Sequence, residues 1–354
     1  TIKANEIKRQ RNTGAVIETP QAPSRPPEIA AKPTLEDAKT FYIKERVSGS
    51  DFAQKKRKVR IEATIKDIEA ALGKVPDLPD WTVDDAYKVR DYLLSRPKAT
   101  GEGTLGPASV RRTLNDIKGI FSLYRDKKMR TMHNPFERLE LPSSAVSEKE
   151  ERDPLPEAVI SATRALIIEK ANPDLRLIWR LLEGTGCRVA EIAGLRVQDI
   201  ITEGDMPHLK IVGHEKRRLK NKSAKRDVPL VGDALSAAIE AVKLAGKQVY
   251  AFARYSGEAG PNSASQSLMQ RLREITTNPL HVVHSLRHNM ADRCDLSGVH
   301  PTDKTAILGH LNAGASEKFY GSEATKRVVL TRALRKAFGL PPEPVVNAGD
   351  LSKQ

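Results

Sequence analysis

Cysteine is scarce in this chain: only Cys187 and Cys294 occur, far apart and without CxxC-type spacing. A disulfide framework and a thiolate metal site are both excluded, and a reducing cytoplasm is the expected compartment. No apolar run approaches the roughly 20 residues that a spanning helix needs. No basic-then-apolar leader opens the chain, so a soluble protein without membrane attachment is expected. Internal repeats, low-complexity tracts, a glycine-rich phosphate loop and a carboxylate metal motif are missing as well. Neither a nucleotide nor a metal cofactor is therefore expected.

Positive charge, by contrast, is in excess. The 354 residues carry 59 Lys and Arg against 45 Asp and Glu, a net charge of +14. The surplus recurs in Lys55-Lys56-Arg57-Lys58, in Lys216-Arg217-Arg218 and from Lys220 to Arg226. A polyanionic partner is the direct implication, nucleic acid first. Hydrophobic residues make up 39% of the chain, enough for globular folding, and its length allows two domains.

The predicted fold is mainly α with a small antiparallel β-sheet, an α+β architecture in several segments. Residues 1–33 hold Pro20, Pro23, Pro26, Pro27 and Pro33 without apolar periodicity and read as a flexible arm. A helical domain is predicted over 34–136, with Thr34 as first N-cap and further helices at 57–72, 82–95 and 107–128. In the last of these, Val110, Leu114, Ile117, Phe121 and Tyr124 form an apolar stripe. Its opposite face carries Arg111, Arg112 and Lys118, expected phosphate contacts, followed by Arg125, Lys127 and Lys128. Residues 137–153 read as a linker and 154–321 as a second domain. That domain is predicted to hold helices at 156–171, 174–183, 232–245 and 263–275, and to be mostly helical from His284 to about 338. Two short strands, at 208–213 and 226–230, flank a basic turn. The tail, 322–354, carries apolar stripes Val329, Ala333, Ala337 and Leu330, Leu334, Phe338 that call for a packing partner.

Four motifs carry chemistry. In the string from Gly184 to Leu195, one helix ends at Gly-Thr-Gly and another starts with Arg188 near its N-terminus, where free amides favour an anion. Arg188 can grip a phosphate with its planar fork, and Glu191, one turn on, can orient it or cap the helix. In His281-Val282-Val283-His284-Ser285-Leu286-Arg287-His288, His284 and Arg287 share a helix face. A zinc reading of His281, His284 and His288 lacks the glutamate of HExxH and any completing thiolate or carboxylate cluster, so no metal is expected. Leu308-Gly309-His310 is a tight turn exposing an imidazole, and Tyr320 is the only tyrosine after it.

In this order the four motifs resemble the catalytic domain of the tyrosine recombinases, the phage integrase family, over about 154–338. The helices of 34–136, closing in Asn134-Pro135-Phe136, resemble that family's core-binding domain. The resemblance implies that Arg188 and Arg287 hold the scissile phosphate, that His284 and His310 fill the two family positions often occupied by histidine, and that Tyr320 is the nucleophile. It places a catalytic lysine in a hairpin turn ahead of Val228-Pro229-Leu230; Lys220 fits best and Lys222 is the alternative. Lys222 and Arg226 in the same stretch are expected DNA contacts. A phenol with pKa near 10 needs a base, for which His284 is the choice, while a lysine ammonium protonates the departing 5′-oxygen.

The implied activity is site-specific DNA recombination through a covalent 3′-phosphotyrosine, integrating or excising a phage or other mobile element. The implied partners are double-stranded attachment sites, a homotetramer on DNA with exchange of the C-terminal tail helix, and accessory DNA-bending factors, in a bacterial cytoplasm. Two rivals are a topoisomerase-like cut-and-reseal enzyme and a non-catalytic DNA-binding protein; the second conflicts with every catalytic position being filled. Leu311-Asn312-Ala313-Gly314-Ala315 departs from the family's commoner polar run.

Overall fold

Thr34 opens the first helix by a reciprocal cap: its hydroxyl accepts from the Asp37 amide at 3.2 Å while the Asp37 carboxylate accepts from the Thr34 amide at 2.8 Å. Thr82 and Asp85 repeat the device at the third helix. In the computed structural model the described residues are 8, 31–47, 49, 52–98, 103–141, 153–217, 225–310 and 322–341. The chain divides into two compact units, Thr1–Ser143 and Ser144–Gln354.

In the first unit, α1 (Leu35–Arg46), α2 (Phe52–Leu72), α3 (Val83–Ser95) and α4 (Pro107–Lys128) surround one apolar core. Trp81, Phe121 and Phe136 meet at its centre with ring centroids 5.1 to 5.6 Å apart. Asn134 brings the closing segment back onto α4. Its fully buried side chain donates to the Lys118 carbonyl and Ser122 Oγ, and accepts from the Phe136 amide.

The second unit is built on α6 (Pro173–Thr185), whose Ile178, Trp179 and Leu181 are completely buried. Asn172 caps it and Pro173 begins it, the residue types a helix start favours. Around it lie α5 (Glu157–Lys170), α7 (Val189–Ala193), α8 (Gly232–Ala245), α9 (Gly260–Ile275), α10 (Ser285–Leu296), α11 (Pro301–Leu308) and α12 (Glu323–Ala337). Helices α6 and α8 approach closely because Gly184 faces Ala234: a Cβ on Gly184 would lie 2.6 Å from that of Ala234. Ala237, Ala238 and Ala241 continue the small-residue face of α8.

The sheet is antiparallel with three strands in the order β1 (Ile200–Ile201), β2 (His208–Ile211), β3 (Arg226–Pro229). Register pairs Ile200 with Leu209, Leu209 with Val228 and Ile211 with Arg226. The sequence predicts only the last two strands, because two residues are too few to show alternation. Helices α2 and α9 also start earlier than predicted, at Phe52 and Gly260.

The tail helix packs on its own chain. Helix α12 lies against β3, α10 and α11 of its own unit, burying Val328, Leu330, Ala333, Leu334 and Ala337. In the single chain its apolar stripe is thus covered by its own unit.

The two cores share no residue. Phe121→Ala should therefore destabilise the first unit by about 3–5 kcal/mol and leave the second untouched. Calorimetry checks this: one transition should move down while the other stays, and a joint shift would show that the cores melt as one.

Candidate active site

Helix α6 ends at Gly186, which takes the left-handed conformation (φ 63°), and Arg188 then serves as N-cap of α7. Glu191 sits at the third position of α7 and accepts from the Arg188 amide and from the Arg188 guanidinium, each at 2.8 Å. That bond takes one of the amides at this helix start, that of Arg188. Arg188 itself is half-buried, with 29% of its side chain exposed.

Arg287, on the first turn of α10, is 4% exposed. It donates to the Gly186 carbonyl at 2.9 Å and to the Leu308 carbonyl, so one guanidinium clasps the C-terminal ends of α6 and α11. His284 is the N-cap of α10, half-buried, its ring edge-on to His288 with centroids 5.6 Å apart. Gly309 caps α11 in the left-handed conformation (φ 66°), and His310 follows, exposed, its amide bonded to the Thr305 carbonyl. The structure thus brings Arg188, Glu191, Arg287 and His310 to one place from three separate stretches of sequence.

The electrostatics follow from burial. Burial alone would raise the Glu191 pKa, but the hydrogen bond and charge of Arg226, with the amide and charge of Arg188, hold it down to about 2. Burial and then the Arg188 charge pull Arg287 down to about 10, still cationic at neutral pH. Partial desolvation, then Arg287, Arg188 and Arg226, push His310 down to about 4. His310 is accordingly neutral at pH 7 and offers an N–H without a charge.

Lys220, Lys222 and Tyr320 lie outside the described residues. Arg226, expected at the DNA surface, is instead 7% exposed, its fork on Glu191 at 3.0 and 3.1 Å. A guanidinium so enclosed has no free face for DNA, and the expectation is corrected. Arg217 is a residue that sequence reasoning missed: it is buried and donates to the main-chain carbonyls of Glu191 (2.7 Å) and Val212. For Arg226 a signal existed, since period-two alternation in β3 puts 226 on the same face as buried Val228. Arg217 had none, standing in a run of basic residues.

In the first unit, Arg111 and Arg112 are exposed on α4, whereas Lys118 is half-buried and donates to the Glu137 carbonyl at 2.8 Å. Arg111, Asn115 and Lys118 line a groove of about 240 Å³ with Glu137. Arg125 is partly neutralised by Asp126 and Glu137.

Histidine-selective NMR on the DNA-free protein should find His310 titrating near 4, below the ordinary 6.5. The sign follows from a lowered folded-state value. The stability contributed by neutral His310 is complete above pH 6.5 and lost as pH falls through about 4. Glu191 acts in the same direction, its contribution complete above about 4.5 and lost toward about 2. A His310 midpoint at or above its ordinary value would contradict this charge distribution.

The model of the phage integrase family matches residues 157–326. A lambda integrase dimer bound to a COC′ core site superposes with TM-score 0.58 at 17% identity, over 92% of this chain and 85% of that one. A lambda integrase tetramer bound to a Holliday junction gives 0.61 at 15% identity, over 89% and 88%. The Tn1549 transposon integrase in complex with transposon right end DNA gives 0.59 at 18% identity, over 82% and 95%. No curated sequence matches the chain. These structures share the fold, a mostly helical chain with a small antiparallel sheet. Residues 157–326, just under half of the chain, match the phage integrase family, the tyrosine recombinases.

Proposed function

We propose that this protein is a site-specific DNA recombinase, an integrase that cuts and rejoins DNA strands through a covalent 3′-phosphotyrosine and so inserts or excises a mobile element. The observation that carries the reading is the convergence of Arg188, Arg287 and neutral His310 around the buried Glu191 carboxylate in an integrase-type domain. Such a cluster, fixed before substrate arrives, is suited to charge growing on a phosphorane.

In the proposed reaction the Tyr320 oxygen attacks phosphorus and gives its proton to His284. Arg188 and Arg287 neutralise the non-bridging oxygens, and His310 donates an N–H to one of them. The bond from phosphorus to the 5′-oxygen breaks, and Lys220, or Lys222, protonates that oxygen. Rejoining is the reverse, with a 5′-hydroxyl from another strand attacking the phosphotyrosine and Tyr320 leaving. The energy of the original bond is kept in the intermediate.

The helices of the first unit are proposed to form the core DNA-binding domain, with Arg111, Arg112 and Lys118 on phosphates. The lambda integrase tetramer on a Holliday junction supports assembly as a homotetramer on DNA. In the proposed tetramer the C-terminal tail, whose helix α12 packs on its own unit in the single chain, is exchanged between protomers. Among the described residues no helix is long and apolar enough to cross a membrane, and action on DNA in a bacterial cytoplasm, with accessory bending factors, completes the proposal.

A duplex nicked beside the cleavage site, drawn from DNA flanking the gene, should trap a covalent adduct that Tyr320→Phe abolishes. Arg188→Ala and Arg287→Ala should each slow its formation by about two to three powers of ten. Replacing the departing 5′-oxygen by sulfur, which leaves without a proton, should rescue Lys220→Ala and not Lys222→Ala. No adduct from the wild type on any flanking site would sink the catalytic reading.

A further inference from the structure

Arg226 stands between the two halves of the proposed phosphate clamp. Its Nη1 and Nη2 reach the two Glu191 oxygens at 3.1 and 3.0 Å, and its Nε donates to the Ile307 carbonyl at 2.8 Å. Glu191 is the carboxylate that holds Arg188. Ile307 precedes Leu308, whose carbonyl takes Arg287, and stands three residues ahead of His310. The fit is tight: a Cβ on Gly309 would come within 2.8 Å of Arg226 Nη1. The side chain is 3% exposed.

We infer that Arg226 is a positioning residue for strand cleavage: it shares Glu191 with Arg188 and pins the Ile307 to His310 turn, without touching DNA. This rests on the recombinase reading of the same site. The reason is competition for charge. With Arg226 in place the Glu191 carboxylate is divided between two guanidiniums, and Arg188 keeps donors for a phosphate. Without Arg226 the full charge of Glu191 falls on Arg188 and draws it away from the anion, while the turn loses its anchor. A lysine keeps the charge but cannot supply three donors in fixed directions.

The test uses the full chain and the nicked duplex in single turnover. Arg226→Gln and Arg226→Lys should each form adduct about a hundredfold more slowly, as expected for misplaced reacting groups, with DNA affinity nearly unchanged. Adding Glu191→Gln to Arg226→Gln removes the competing carboxylate and should recover about tenfold of the loss; a purely structural role predicts a further loss. In Arg226→Lys the His310 imidazole resonance should shift although the charge is kept. Wild-type rates in both variants, an unmoved His310 resonance, or loss of the folded state in both variants would each overturn the inference. Should the wild type itself give no adduct, the recombinase reading fails, and the tie is judged by the His310 resonance and by the affinity for inorganic phosphate. That affinity should fall in both variants; unchanged phosphate affinity overturns it.

Discussion

One buried carboxylate organises the catalytic unit. Glu191 is 5% exposed, and an ionised carboxylate in such a place persists only if cations and donors surround it. It accepts from the Arg188 amide, the Arg188 guanidinium and the Arg226 guanidinium, and its own carbonyl takes Arg217. Arg287 stands nearby on main-chain carbonyls, which are dipoles and not charges, so its positive charge is not cancelled. Arg188, Arg226 and Arg287 together thus exceed the single carboxylate. A local surplus of positive charge, held by hydrogen bonds in fixed directions, is what the proposed binding of a phosphate requires. Desolvation first, and then the same surplus seen by a neighbour, lower the pKa of His310.

The backbone geometry that permits this arrangement is as specific as the side chains. Helix C-termini leave carbonyls without partners, and a cation close to them is favoured. Arg287 satisfies two helix ends at once, and Arg226 a carbonyl one residue away. Both ends close on left-handed glycines with no room for a side chain: a Cβ on Gly186 would lie 2.8 Å from Met290, and one on Gly309 2.8 Å from Arg226. Arg287, proposed to grip phosphate, and Arg226, proposed to position the clamp, are therefore also the residues that tie α6, α11 and β3 together, so stability and the proposed chemistry in this unit share the same bonds.

Much of this was legible in sequence because local chemistry determines it. The capping pairs Thr34 with Asp37 and Thr82 with Asp85, the Gly106-Pro107 start of α4 and the αL glycine after Leu308 need only near neighbours to be read. What escaped depends on distant partners. Strand β1 exists only through pairing with β2, and two residues carry no periodicity. Arg217 and Arg226 sit in a basic stretch that resembles a solvated surface, and it takes the distant Glu191, with the Val212 and Ile307 carbonyls, to draw them inside, although the alternation of β3 already set Arg226 on the buried face. The apolar stripe of α12 announced that a partner was needed, but a stripe does not say whether that partner belongs to the same chain.

The proposed reaction also separates its parts by how they are held. Charge stabilisation falls to groups fixed by buried bonds, Arg188 and Arg287, which need not change protonation during the cycle. The proton of the nucleophile falls to His284, while desolvation and the neighbouring guanidiniums set His310 to donate a hydrogen bond while neutral. The two remaining roles, nucleophile and leaving-group acid, belong to Tyr320 and to Lys220 or Lys222. In sequence, the lysines stand between Arg217 and Arg226, both bonded to Glu191, and Tyr320 stands between His310 and Ser322, the N-cap of α12. The lysines are thus bracketed in sequence by two fixed points of the charge network, and Tyr320 follows one of its members. An anion entering that network acts on all its members together: it relieves the repulsion among the guanidiniums and raises the His310 pKa toward its ordinary value, so that the substrate itself completes the electrostatics of the site.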